Sequence, residues 1–514
     1  MSVQPHQSST AYWGRLPPEL RMMALGMLVE PNNKQPTGSW RQHNQSAYAA
    51  VCREWQYFFE RIHFQSLTVH QSDLLELGRI VQGQRRTFME WIWLRLELPE
   101  YDCDCCNKQE SSKEIQSHNF IFTNALWNLF AILSTWKKKG EFGVGERGLT
   151  LEMSAHSPSD SKHFCKELDS RINDTAWSRR NGGPKKRHHD DAHGWRKGRR
   201  TRRPGDEAKM RVFGHPNGLK FDLRASSAQK MRTLPKVRVI KTFVIRRQFY
   251  RAFSVAKALQ PIIQCLTQLE DFIYEPWRGL DTKGHSGRAI RDMEHHLLFL
   301  DVFKYRRSLR RVAIFEDLNY VLHGGREREH YTLLGEDLAR SSRNFEDLHA
   351  SLNVDAKDFF HAFWPGQDPK VKKGVEWKFL KYLSLTSHSL NPWDYDQLVL
   401  TAAAAAQRMP QLEVMELWNG GKGHLCIFRY ERRVDQPRIQ LLSTWGGQLG
   451  AQARARWGVV ARGHSSRHEL QAEPIYLNAS LIKSHVSVLR YLVLRGRLLN
   501  ETSLRQMQME AKHR

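Results

Sequence analysis

A short phrase of apolar residues, spaced apolar-x-x-apolar-x-apolar, recurs along this 514-residue chain. It first occurs over residues 64–69 and returns 25 residues later over residues 89–94. Further copies lie at Leu234/Val237/Val239, Leu269/Phe272/Tyr274, Leu309/Val312/Ile314, Leu380/Leu383/Leu385, Leu412/Met415/Leu417 and Leu489/Leu492/Leu494, with a poorer copy at Phe345/Leu348/Ala350. The last two positions of each phrase alternate, as residues on one buried face of a β-strand do. The phrase therefore predicts a series of short strands.

Helical patterns lie between many of these strands. Apolar residues follow the first strand at Leu74, Leu75, Ile80 and Val81, and an alanine-rich helical pattern covers residues 394–409. Strand–helix–strand units built on such a phrase are the signature of leucine-rich repeats, whose usual period is about 20–29 residues. Later copies are spaced by 35, 40, 36, 35 and 32 residues, so the repeats are irregular. The favoured fold class is α/β, an irregular leucine-rich-repeat-like α/β solenoid, and a conventional α/β sheet with short strands is the alternative.

Two interruptions break the repeat. Residues 168–233 contain GGP, KKR and RRTRRP, a composition that predicts a basic, flexible insertion. Residues 420–485 carry alternating apolar positions and predict a hairpin-like insertion. The chain thus divides into a helical module at 10–62, first repeats at 63–167, the basic insertion, and a continuing repeat domain at 234–514.

The helical module contains two predicted amphipathic helices. Pro17 and Pro18 suit a first helical turn, because backbone N–H groups there have no partner within the helix and their absence in proline costs no hydrogen bond. One apolar stripe follows at Leu20, Met23, Ala24, Met27 and Leu28. After a polar linker, Ser46 can cap a second helix. The apolar face of that helix is Tyr48, Val51, Cys52, Trp55 and Phe59.

The positive charge of the chain is concentrated in one segment. The chain has 79 Lys+Arg against 54 Asp+Glu, a net charge of +25. Residues 179–211 hold thirteen basic and four acidic residues, 13 − 4 = +9, so over a third of the excess lies there. Counterion release makes such a segment a candidate for nucleic-acid binding. The hydrophobic fraction of 40% is nevertheless too high for a disordered chain.

The composition also indicates in which cellular compartment the protein is expected. No run approaches about 18 consecutive apolar residues, so a transmembrane helix is not expected. The start MSVQPHQSST lacks the basic and apolar regions of a secretory signal. Seven cysteines do not make a disulfide scaffold in a chain of this length. We therefore expect a cytoplasmic or nuclear protein, or both, without a membrane partner.

Two motifs are candidates for chemistry. The G-x-G-x-x-G pattern at 143–148 has a strand after it rather than before it, which is the wrong context for a dinucleotide loop. Cys103, Cys105 and Cys106, with His118 beyond, form the plausible metal cluster, but a closed zinc site needs four ligands. We expect reduced cysteines in a turn, with zinc binding left open. No catalytic residue, cofactor or metal is predicted.

The helical module resembles an F-box in two strings, LPPELRMMALGMLVE and SAYAAVCREWQYFFE. The F-box pattern begins with Leu-Pro and later carries a Val-Cys-basic-x-Trp helix. The resemblance implies binding to the Skp-type adaptor of an SCF-type (Skp–cullin–F-box) ubiquitin ligase. The residues it assigns to that contact are Leu16, Pro17, Leu20, Met23, Val51, Cys52 and Trp55.

An F-box followed by leucine-rich-like strands is the layout of substrate receptors in such ligases. More narrowly, the chain resembles a family of F-box proteins of filamentous fungi in the phrases YAAVCREWQYFFE, IWLRLELPEYDC, LTLEMSAHSPSDS, VIRRQFYRAFS and IYEPWRG. The resemblance implies a non-catalytic receptor subunit. Its implied partners are the adaptor, a cullin scaffold and an unknown target protein.

Strand residues that alternate with the buried ones are expected to be exposed and to contact the target. They are Ile273, Ala313, Ser384, Glu416 and Val493. The alternative function is a basic nucleic-acid-associated or nuclear protein that acts through the 179–211 segment.

Overall fold

One twelve-stranded sheet runs through the protein. The computed structural model describes residues 12–29, 47–137, 143–145, 148–166, 189–214, 218–222, 233–282, 285–323, 331–367, 375–433, 435–464 and 469–512. The strands are β1 (Ser66–Val69), β2 (Trp91–Glu97), β3 (Leu149–His156), β4 (Ile240–Ile245), β5 (Asp271–Tyr274), β6 (Arg311–Phe315), β7 (Asp347–Asp355), β8 (Tyr382–Thr386), β9 (Val414–Gly421), β10 (His424–Glu431), β11 (Arg438–Ser443) and β12 (Gln471–Tyr476).

The order of the strands in the sheet is their order along the chain. Strands β1 to β9 pair in parallel, β10 is antiparallel to both its neighbours, and β12 pairs in parallel with β11. Parallel neighbours need a crossover connection, which is usually helical. The structure is accordingly a mixed α/β fold with a large, mostly parallel sheet, and the predicted α/β class is confirmed.

Helices and helical turns connect most of the strands. They are α1 (Pro18–Val29), α2 (Arg53–His63), α3 (Leu74–Ile80), α4 (Arg85–Phe88), α5 (Cys103–Cys106), α6 (Ser112–Ser134), α7 (Asp206–Phe213), α8 (Gln260–Cys265), α9 (Gly287–Leu297), α10 (Tyr320–His323), α11 (Thr332–Ser341), α12 (Ala356–Phe359), α13 (Tyr395–Ala406), α14 (Ala451–Gly463), α15 (His485–Leu489), α16 (Arg495–Leu498) and α17 (Glu501–Lys512). No described helix combines the length and apolar character needed to cross a membrane.

The apolar phrase forms the main core. The middle residue of most copies lies in one continuous row of apolar residues that crosses the sheet, and apolar residues of β3, β4, β10 and β11 complete the row. The row is Ile92, Leu151, Phe243, Phe272, Val312, Leu348, Leu383, Met415, Tyr430 and Ile439, each at most 1% exposed. Helices α6, α8, α11 and α13 pack on this face of the sheet within the same apolar cluster.

Three predictions from the sequence pattern differ from the strands. The copy over 234–239 ends just before β4, which begins at Ile240. The copy over 489–494 forms no strand, because α15 ends at Leu489 and turns follow it. The hairpin-like insertion expected at 420–485 supplies β10, β11 and β12, which continue the main sheet.

The C-terminal segment (residues 485–512) covers part of the opposite face of the sheet. Its leucines pack into a second apolar cluster instead of forming a further strand. The cluster contains Phe315, Trp418, Leu425, Ile427, Leu442, Ile482, Val488, Leu489, Leu492, Leu498, Leu499, Leu504 and Met507. The sheet is therefore buried on both faces over its middle strands.

Part of the predicted flexible insertion is folded. Residues 167–188 and 223–232 lie outside the described residues, whereas 189–214 form a short hairpin and α7. The indole of Trp195 is buried and donates a hydrogen bond to the Phe164 carbonyl oxygen over 3.0 Å. This segment is folded, and not flexible as predicted, because its apolar side chains pack against distant parts of the chain.

Candidate functional site

The two N-terminal helices leave apolar side chains in solvent. Leu25 is the buried residue of α1, although most of that helix is apolar. Leu20, Met23 and Met27 recur at helical spacing and are 48%, 60% and 69% exposed. Val51, just before α2, is 59% exposed. We call Leu16, Leu20, Met23, Met27 and Val51 the apolar surface.

The predicted adaptor residues all lie on this module. Leu16, Pro17, Leu20, Met23, Val51 and Cys52 are all exposed. Trp55 is half-buried, and its ring centroid lies 5.5 Å from that of Trp13, 5.9 Å from that of Tyr48 and 5.9 Å from that of Phe59. Trp55 therefore packs α2 against Trp13, which precedes α1, and against Tyr48.

Ion pairs fix the module in place. Arg21 of α1 pairs with Glu54 of α2 over 3.1 Å. Arg85 of α4 donates to both carboxylate oxygens of Glu60 over 2.6 and 3.1 Å, and these hydrogen bonds lower the Glu60 pKa. Tyr57 also packs edge-on against Phe88 of α4, with ring centroids 5.3 Å apart. The module that carries the apolar surface is thus joined through α4 to the first strands of the sheet.

A second row of residues, on the face opposite the main core, contains four of the predicted target contacts. We call it the central row, and it crosses all twelve strands at Thr68, Trp93, Glu152, Val244, Ile273, Ala313, His349, Ser384, Glu416, Arg429, Gln440 and Glu473. Ile273 is half-buried. Ala313, Ser384 and Glu416 are at most 1% exposed, so the expectation of an exposed face is wrong for these three.

The C-terminal segment is the reason for their burial. The Glu416 carboxylate accepts a hydrogen bond from Arg429 over 2.7 Å, and from the backbone N–H groups of Val493 and Leu494 over 3.0 and 2.8 Å. Glu416 therefore anchors the turn that follows α15. Val493, the fifth predicted contact, lies on the covering segment and is 57% exposed.

Further charged contacts hold the C-terminal segment along the sheet. Arg497 pairs with Asp347 over 2.6 Å, and its guanidinium lies 3.9 Å from the Tyr382 ring centroid. Glu275 accepts a hydrogen bond from the Asn500 backbone N–H over 2.9 Å. This cover was not predicted from the sequence, although Leu504 and Met507 follow helical spacing in the last residues of the chain.

Several arginines in the described part of the basic segment contact other residues of the chain. Arg196 pairs with Asp191 over 2.6 Å, and Arg211, which is 2% exposed, pairs with Glu114 over 2.8 Å. Arg200 lies over the Trp195 ring at 4.8 Å. The KKR run expected to bind nucleic acid lies outside the described residues.

A cavity of about 50 Å³ opens at the carboxyl ends of β4 and β5. Four arginines border it, and each has an acidic or hydroxyl partner. Arg251 pairs with Glu110 and Asp160. Arg246 donates to Glu152, Arg278 pairs with Glu316 over 3.4 Å, and Arg291 donates to the Tyr274 hydroxyl over 3.0 Å. These guanidinium groups are already engaged in stabilising the loops around the cavity.

Comparison with known proteins identifies one matching family. Residues 304–500 match the model of a family of unknown function (DUF6546). The match covers β6 to β12 with α15 and α16, and it does not include the apolar surface. No curated protein shows significant similarity to the chain.

Proposed function

We propose that this chain is the substrate-receptor subunit of an SCF-type ubiquitin ligase. The observation that carries the proposal is the apolar surface, which is solvent-exposed on a module resembling an F-box. The module holds the Skp-type adaptor and, through it, the cullin scaffold. The remainder of the chain presents a target protein, and the subunit performs no chemistry of its own.

The energetics support a docking role for the apolar surface. Several large apolar side chains of this one short module are exposed to water, and a cluster of exposed apolar groups is typical of an interaction site. Covering one such side chain contributes roughly 1.5–3 kcal/mol. Because the Arg21–Glu54 ion pair joins α1 to α2, the exposed side chains are presented without a large ordering cost.

The sheet supports the second half of the proposal. Its strands follow chain order and its crossovers carry helices, as expected of an irregular leucine-rich-repeat-like solenoid. Such a domain offers a long surface for a target protein. Because the C-terminal segment covers part of the central row, a target protein on this face contacts that segment first. Val493 is exposed on it. Holding a target beside a charged conjugating enzyme raises the effective concentration of its lysines.

The experiment is capture of a purified Skp-type adaptor by the full-length chain. The test variant is Leu20→Asp combined with Met23→Asp, because both side chains are exposed and their replacement leaves no cavity. We expect the variant to bind at least about 100-fold more weakly, since two covered apolar groups are worth roughly 3–6 kcal/mol.

The matched control is Leu75→Asp on α3, a leucine that is 82% exposed and lies outside the module. It should capture adaptor as well as the wild type does. Thermal melting of all three proteins verifies that they are equally folded. Failure of the wild type to capture adaptor, or equal capture by the double variant, would overturn the proposal.

A further inference from the structure

Two cysteines and two histidines from three separate segments meet beside α5. Cys103 and Cys106 are the first and last residues of that helical turn. His163 follows β3, 60 residues after Cys103, and His193 ends a short helical turn 90 residues after it. Cys106, His163 and His193 are 3%, 7% and 7% exposed, whereas Cys103 is exposed. We call these four residues the cysteine–histidine cluster.

Donor atoms of Cys103, His163 and His193 all lie within 4.8 Å of one another, and Cys106 adjoins this group at His193. The Cys103 Sγ lies 3.6 Å from His163 Nδ1 and 3.8 Å from His193 Nε2. The Cys106 Sγ lies 3.6 Å from His193 Nε2. The two imidazole nitrogens are 3.2 Å apart.

Each of these four separations is close to the value expected for a pair of ligands on one tetrahedral zinc ion. With Zn–S bonds of about 2.3 Å and Zn–N bonds of about 2.0–2.1 Å, tetrahedral geometry places a sulfur about 3.6 Å from a nitrogen and two nitrogens about 3.4 Å apart. Cys103, Cys106, His163 and His193 also supply the Cys₂His₂ donor set of structural zinc sites, with the cysteines in C-x-x-C spacing.

Outer contacts orient both imidazoles toward the centre of the cluster. The His193 Nδ1 lies 2.8 Å from an oxygen of Asp190, and Lys166 pairs with the same carboxylate over 2.7 Å. The His163 Nε2 lies 3.4 Å from the Tyr101 carbonyl oxygen. Both outer partners are acceptors, so the outer ring nitrogens carry the protons. Two nitrogen lone pairs then face each other across 3.2 Å, an arrangement that a cation between them stabilises.

We propose that Cys103, Cys106, His163 and His193 bind one Zn²⁺ in a closed structural site. Four protein ligands leave no open coordination position, so the ion has no catalytic role. Its role is to join α5, the turn after β3 and the segment 189–214, which surround a small apolar cluster of their own. Binding couples to folding here, because the ligands are far apart in the chain.

The cluster differs from the other groups of possible ligands. His118, which the sequence placed beside the cysteines, pairs instead with Glu110 over 3.1 Å. Asp292, His295 and Glu316 also lie together, but Arg278 pairs with Glu316 and supplies a positive charge there. The cysteine–histidine cluster has neutral or anionic donors facing inward and acidic or carbonyl acceptors behind them.

The first test uses the wild-type full chain, purified under reducing conditions without chelator. Elemental analysis should find one zinc per chain. Replacement by Co²⁺ should give the intense visible bands of a tetrahedral site and a thiolate-to-cobalt charge-transfer band. Absence of stoichiometric zinc after addition of Zn²⁺, or a Cys103–Cys106 disulfide or free thiols in its place, would overturn the proposal.

The second test uses matched single variants. Cys106→Ser and His193→Ala should lose zinc and the cobalt charge-transfer or tetrahedral bands. Cys105→Ser, in the same turn, and His189→Ala, on the same segment, should keep one zinc per chain. Retention of full zinc by Cys106→Ser and His193→Ala would contradict the assignment. If either variant fails to fold, the wild-type stoichiometry and cobalt spectrum alone decide the proposal.

Discussion

Several charged residues beside the sheet are buried in ion pairs with one another and are not exposed to a partner. Arg247 is fully buried, 2.6 Å from Asp317 and 2.9 Å from Glu510 of α17, with its guanidinium 4.1 Å from the Trp277 ring centroid. Burial opposes the ionisation of Asp317, but Arg247 and His485 outweigh it and lower the Asp317 pKa to about 2. These groups therefore serve the fold rather than a ligand.

This network predicts the outcome of one substitution. Arg247→Met removes the guanidinium that pairs with the buried carboxylates of Asp317 and Glu510, so the free energy of unfolding should fall by about 3–5 kcal/mol. Urea denaturation measures the change.

The control is Arg505→Met on α17, the helix that contains Glu510. Arg505 pairs with Glu501, and its side chain is 55% exposed. It should change the free energy of unfolding by less than about 0.5 kcal/mol. Equal stability of both variants would show that the C-terminal segment is not held by Arg247.

The cysteine–histidine cluster shows the limit of sequence reasoning at the residue scale. The C-x-x-C spacing of Cys103 and Cys106 is visible in the sequence. His163 and His193 are 60 and 90 residues from Cys103, so spacing could not select them from 24 histidines. Only the folding of residues 189–214 against α5 brings the ligands together.

At the scale of secondary-structure elements, strands were more predictable than their surroundings. The apolar phrase located β1, β2 and β5 to β9, because each of these strands buries alternate residues in one core. The copy over 489–494 was misleading, since helical turns can present leucines at similar spacing to a face of the sheet. The burial of Ala313, Ser384 and Glu416 depends on a segment far along the chain, which no local pattern reveals.

A glycine pair tests the packing of α15 on β9. A Cβ atom on Gly420 would lie 2.2 Å from the Val488 Cγ2 atom, and Val488 is fully buried. Gly420→Ala should therefore reduce the free energy of unfolding by about 1–3 kcal/mol, as overpacking does. Hydrogen exchange should also become faster in the C-terminal segment.

The neighbouring glycine is the control. A Cβ atom on Gly421 meets nothing within 4 Å, so Gly421→Ala should leave both stability and exchange close to wild type. Slower or unchanged exchange in Gly420→Ala would mean that α15 does not depend on this close approach.

On the scale of the whole molecule, the net charge of +25 proves less informative than the distribution of apolar residues. Arg196 and Arg211, two of the basic residues that suggested nucleic-acid binding, form internal ion pairs. The apolar surface instead places large side chains in solvent at one end of the sheet. The matched family of unknown function covers residues 304–500 and assigns no activity to the chain.

The most direct test of the central claim is hydrogen exchange of the full chain with and without purified Skp-type adaptor. We expect slower exchange on adaptor binding in residues 16–29 and 47–63, and unchanged exchange in α14 at the far end of the sheet. Absence of a complex, or a complex whose protection lies outside these two segments, would contradict it.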